Sequence, residues 1–123
     1  MKPLTEFIER MRPCAWESGA NDCALFVAAW LQEIHGIDYA AAYRGQYETT
    51  EEGLQLIGGL KNKLTEILGE PDAILTARRG DIAYRTTDGG ETVGVVIGTR
   101  VACPGEKGLY FSALTDWEMC WHV

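Results

Sequence analysis

The tripeptide Asn21-Asp22-Cys23 is the part of this sequence whose residue types and placement could do chemistry. It heads a stretch in which Cys23, Phe26, Val27, Trp30, Leu31 and Ile34 recur with helical spacing. Asn21 and Asp22 supply N-cap chemistry, and Gly36 supplies a C-terminal stop. A thiol at such a helix start faces the positive end of the dipole and backbone N–H groups that have no partner within the helix. Both favour the thiolate, which is the nucleophilic form, and an adjacent N–H could bind an oxyanion. Free cysteine is also among the most buried residue types. Position alone therefore leaves two readings of Cys23 open, nucleophile and packing residue.

A thiol nucleophile needs a base within hydrogen-bond reach. The chain has two histidines, His35 and His122. His35 stands just before the helix stop, about 18 Å along the axis from Cys23 at ~1.5 Å rise per residue, so a continuous helix excludes it. His122 lies on the last expected strand and reaches Cys23 only if that strand folds across the helix start. Asp22 reads first as the helix cap, and Asp81, after Gly80, as a strand-start cap. Trp16 sits in the Gly19-containing loop before Cys23 and is the best groove candidate. Tyr43 and Tyr47 lie on the connector after the central helix, where they cover a cleft or pack the loop.

These residues must be held by four helices and a sheet. Leu4, Phe7, Ile8 and Met11 make one face of a first short helix, which Pro13 blocks. The second helix has a nearly all apolar or small face and should be the buried centre. Thr49 and Glu52 match a capping box opening a third helix, broken at Gly58-Gly59. Leu60, Leu64, Ile67 and Leu68 give a fourth, closed by Gly69. Beyond Pro71 the period becomes strand-like. Asp81–Arg85 and Thr92–Ile97 flank the hairpin signal Asp88-Gly89-Gly90, and Arg100–Cys103 and Gly108–Phe111 flank Pro104-Gly105-Glu106-Lys107. Met119–Val123 closes the sheet. The expected fold is one α+β domain over residues 1–123, with helices packed on one side of about five antiparallel strands.

The 123 residues suit a single domain. With 11 basic and 18 acidic residues the net charge is −7, which argues against nucleic-acid and anionic-lipid partners. The longest apolar run, Cys23 to Leu31, is nine residues, against about 20 for a membrane span. An acid follows the start before any signal-like apolar region forms, so a bacterial cytoplasm or a virion is the expected location. Cys14, Cys23, Cys103 and Cys120 allow three full pairings, and reduced thiols are the expectation there. No C-x-x-C occurs, so neither a metal site nor a cofactor is expected.

Asp22-Cys23-Ala24-Leu25-Phe26-Val27 resembles the D-C-S-G-F-V motif around the nucleophile of NlpC/P60 cell-wall peptidases, which have a papain-like fold. Trp16 and Gly19 match that family's aromatic residue and glycine before the cysteine. Arg79-Gly80-Asp81-Ile82-Ala83-Tyr84 resembles its P-G-D-L-V-F strand, and Thr92-Val93-Gly94-Val95-Val96-Ile97-Gly98 its H-V-G-I-Y-L-G strand. Small phage and prophage proteins of that superfamily are more similar still. They share Trp16, Asp22-Cys23-Ala24-Leu25-Phe26, Trp30, Gly45-Gln46-Tyr47, Gly80-Asp81, Gly94-Val95 and Trp121-His122-Val123, with arginine usual where this chain has His122.

The resemblance implies a papain-like fold and phage tail proteins or peptidoglycan peptides as partners. It also exposes a departure. The histidine that serves as base in active relatives is replaced by Thr92, which cannot take a proton from a thiol near neutral pH. Three functions follow as expectations. The first is a catalytically degenerate binding or tail-morphogenesis module. The second is an active cysteine amidase or endopeptidase with Cys23 as nucleophile and His122 as base. The third is a structural subunit in which Cys23 only packs.

Overall fold

Asp22 ends an extended segment and caps the longest helix, its Oδ1 accepting from Leu25 N at 2.9 Å. That helix, α2 (Cys23–His35), follows α1 (Lys2–Met11) and stops at Gly36, which takes φ +73° and donates its N–H to Gln32 O. The computed structural model describes residues 2–88 and 90–123. Thr49 opens α3 (Thr50–Ile57) by accepting from Glu52 N, while Glu52 reaches back to Glu48 N, one residue beyond the reciprocal partner of a capping box. Gly58 and Gly59 separate α3 from α4 (Leu60–Leu68).

Six strands follow: β1 (Asp72–Ala73), β2 (Ile82–Thr87), β3 (Gly90–Val96), β4 (Arg100–Gly105), β5 (Gly108–Ala113) and β6 (Met119–Trp121). They form one open antiparallel sheet in the order β1-β6-β2-β3-β4-β5. The fold is therefore α+β, with one strand more than the five expected. The extra one, β1, has only two residues and pairs Asp72 with Cys120 and Ala73 with Met119. The hairpin signal at Asp88-Gly89-Gly90 joins β2 to β3, Thr87 pairing with Gly90; Gly89 lies outside the described residues. The second hairpin is tighter than expected. Gly105 pairs with Gly108, so Glu106 and Lys107 alone form its loop.

The main core lies between the helices and one face of the sheet. Leu4, Phe7, Phe26, Trp30 and Leu31 pack there against Ile82, Tyr84, Val95 and Trp121. Trp30 is fully buried and its indole N–H donates to Gly80 O at 2.7 Å, tying α2 to the start of β2. The other face is not bare. Ala83, Val96, Val101, Cys103 and Trp117 form a second buried cluster under two 3₁₀ turns, Ile74–Thr76 and Leu114–Asp116. Among the described residues no helix is long and apolar enough to cross a membrane.

Candidate functional site

A cleft of about 220 Å³ opens where α2 begins, and its walls come from α2, α3 and the ends of β3 and β4. Trp16, Asp22, Cys23, Tyr47 and Thr92 all line it. Five side chains singled out from sequence, spread over 77 positions, thus share one cavity. The loop that delivers Trp16 is held by its own backbone, Trp16 N donating to Gly105 O at 2.7 Å. Asn21 braces the same loop from below, its Nδ2 donating to Ala15 O at 2.8 Å. Trp16 stays 44% exposed at the mouth, and Tyr110 is 41% exposed on another wall.

Asp22 is nearly buried and does more than cap α2. Its Oδ2 accepts from Gly19 N at 3.1 Å and from the Tyr47 hydroxyl. One carboxylate therefore ties the loop, the helix start and the connector together. Tyr47 fits because two glycines leave room for it. A Cβ on Gly19, which has φ +81°, would stand 2.2 Å from Tyr47 O, and one on Gly53 would meet the Tyr47 ring at 2.7 Å. Burial first, and then the hydrogen bond to Asp22, push the Tyr47 hydroxyl far above its usual range. Tyr47 is a fixed donor at physiological pH.

The thiol of Cys23 is half-buried. The helix start should favour its thiolate, but the structure gives the opposite result. Burial pushes Cys23 up from 9.0 to about 11. Backbone hydrogen bonds from Val93, Ala24 and Cys23 itself pull it down, and the Asp22 charge beside it pushes it up again. Removing the thiolate from water costs more than the helix end returns. Near neutral pH the thiol is therefore protonated.

Among the described residues no histidine lines this cleft. His35 ends the unbroken α2, where its Nδ1 lies 3.2 Å from the Tyr39 hydroxyl. His122 sits beyond the other end of β2. Its Nδ1 is 2.7 Å from Asp81 Oδ2 and its Nε2 3.2 Å from Asp72 Oδ2. Asp81 is buried and also accepts from Arg78 N and Val123 N, so it joins the start of β2 to the C-terminal residues. The last strand pairs with β1 and β2 and does not cross the start of α2. Trp30 and Trp121 are core, and Trp117 lies on the far face under the Arg85 guanidinium at 4.4 Å.

The chain belongs to a family of unknown function. It is described as Domain of unknown function (DUF6950), and its family model matches residues 1–123. No curated protein matches the chain.

Several residues of this DUF6950 cleft carry no local signal in the sequence. Glu91 lines it and accepts from Leu60 N at 3.1 Å, Lys61 N at 2.9 Å and the Tyr84 hydroxyl at 2.8 Å. It caps α4 from a strand, because Gly59 at the helix start has no side chain to do so. The missing cap was a clue that a distant group must serve, without saying which. Cys103 and Pro104 also line the cleft, and Pro104 did hold a signal. A proline within a strand marks a break in pairing. Among the described residues no group of three or more His, Cys, Asp or Glu side chains is placed to hold a metal ion.

Proposed function

We propose that this domain is a catalytically silent relative of the NlpC/P60 peptidases, a binding module whose cleft takes a peptide ligand. Its setting is phage or prophage tail assembly, with tail proteins or peptidoglycan peptides as partners. One observation carries this reading: Cys23 shares its cleft with Thr92, and among the described residues no imidazole lines that cleft. Burial, which holds the thiol up to about 11, supports it. A Cys-His enzyme needs a base that can take the thiol proton and return it to the leaving group. A threonine hydroxyl does neither near neutral pH. Trp16 and Tyr110, exposed at the cleft, offer aromatic faces for a ligand, and the rigid Asp22–Tyr47 pair offers a preorganised wall.

The test combines turnover and binding. The purified chain is incubated with peptidoglycan stem peptides, hydrolysis is followed by mass spectrometry, and binding by indole and amide chemical shifts. The expected result is no cleavage, with shifts confined to Trp16, Tyr47 and the start of α2. Cleavage that Cys23→Ala abolishes would replace this reading with the active hydrolase.

A further inference from the structure

The cleft owes its existence to a split in the sheet. The β3–β4 ladder pairs Val96 with Val101 and Val95 with Ala102, and stops there. Two residues on, Val93 would stand opposite Pro104, which has no N–H to give. Both backbone groups of a strand residue point to the same neighbouring strand. The N–H and C=O of Val93 are thus turned toward β4 with no backbone partner there.

A thiol takes the place of the missing donor to Val93 O, and a second thiol lies close by in the cleft. Cys103 donates its S–H to Val93 O at 3.6 Å. Cys23 packs against the buried cluster that contains Val93. The sulfurs arrive from opposite faces, Cys23 from the helix side and Cys103 from the cluster around Trp117. Both cysteines line the same cleft of about 220 Å³, and a disulfide between them would hold their Cα atoms roughly 4.4–6.8 Å apart.

We infer that Cys23 and Cys103 are a redox-linked pair that closes to an intramolecular disulfide across the split when a low-molecular-weight disulfide is the oxidant. With oxidised glutathione the steps balance as follows. The Cys23 thiolate, on the half-exposed side, attacks one glutathione sulfur. The glutathione S–S bond breaks, a mixed disulfide forms at Cys23, and one glutathione leaves as thiolate and takes up a proton. The Cys103 thiolate then attacks the Cys23 sulfur and expels the second glutathione. The protein loses two hydrogens, and oxidised glutathione becomes two molecules of glutathione. The bond staples the start of α2 to β4 through the cleft floor, so ligand access becomes a function of redox state. Burial holds Cys23 at about 11 and Cys103 at about 12, so closure is slow and speeds up about tenfold per pH unit below those values. The other two thiols lie elsewhere. Cys14 contacts Arg10 O, and Cys120 sits against Ala73 O and Thr76, with Ala83 and Gly94 between it and Cys103 across the sheet.

The full chain is incubated with oxidised glutathione at pH 9.0, the ordinary thiol value. Remaining thiols are then alkylated with iodoacetamide and peptides are mapped by mass spectrometry. The expected product is a Cys23–Cys103 linked peptide with two hydrogens lost, while Cys120 is alkylated and Cys14 is alkylated or glutathionylated. Cys103→Ala should stop at a stable glutathione adduct on Cys23, with buried Cys120 free of glutathione as the sign that the variant is folded. A wild-type chain that stops at the Cys23 adduct overturns the inference. So does a linked peptide joining any other cysteines, or a chain whose Cys14 is fully modified while Cys23 and Cys103 stay free.

Discussion

The cleft at the start of α2 and the cluster at the C-terminal residues divide between them what a thiol hydrolase would need in one place. The first holds a partly buried thiol, aromatic walls and a hydrogen-bonded carboxylate, but among the described residues no imidazole lines it. The second holds His122 against two carboxylates, with Cys120 nearby through Thr76, and there the thiol is fully buried. Each has half of the chemistry. The difference teaches that residue inventory and reactivity are separate matters. A nucleophile without a base stays protonated, and a base without an open nucleophile becomes a structural clamp.

The comparison breaks most visibly at Asp22. Asp22→Ala removes the α2 cap and strands Gly19 N and the Tyr47 hydroxyl, at a cost of roughly 3 kcal/mol. Urea unfolding should show that loss, and Cys23 should become easier to alkylate as the loop loosens. A smaller effect comes from alkali. Cys23 has a folded value raised to about 11 from 9.0, so its contribution is whole below pH 9 and is lost as pH rises from 9 to about 11. Stability should fall over that window by roughly 2 kcal/mol from this thiol, and Cys23→Ala should flatten that part of the curve in a pH series of urea melts.

Thr92→His sharpens the comparison by putting an imidazole into the cleft. Alkylation of Cys23 near neutral pH should rise about tenfold, equivalent to about 1.4 kcal/mol, as an ion pair becomes available to the thiolate. An unchanged rate would mean that position 92 does not face the sulfur. The smallest effect is expected at His122→Ala. It removes a half-exposed clamp and should cost about 1 kcal/mol by urea melt, since Asp81 keeps Arg78 N and Val123 N as donors. The pH profile of Cys23 alkylation should not move at all. A shifted profile would show that the two regions communicate.

Much of this was legible in the chain. The helix starts and stops were written locally, in Asp22, Thr49, Gly36 and Gly58, because caps are short-range hydrogen-bond chemistry. The burial of Trp30 followed from helical spacing. The gathering of Trp16, Cys23, Tyr47 and Thr92 around one cavity could not be read from their spacing along the chain. Which of the two readings of Cys23 the helix end favours could not be weighed without knowing what covers the thiol, and burial raises it. The helix dipole is visible in sequence; desolvation is not. The six-stranded count was missed because β1 has two residues and no period to detect.

The sequence by itself determined the α+β order, the caps, the hairpins and the absence of a histidine at position 92. These are statements about neighbours along the chain, or about which atoms a residue owns. Tertiary structure alone decided the rest. It placed Glu91 at the start of α4, His122 between Asp81 and Asp72, and Cys23 and Cys103 on the walls of one cleft. Each of these depends on which groups are brought together and how much water is excluded between them, and both are set by packing across distances that no local pattern records.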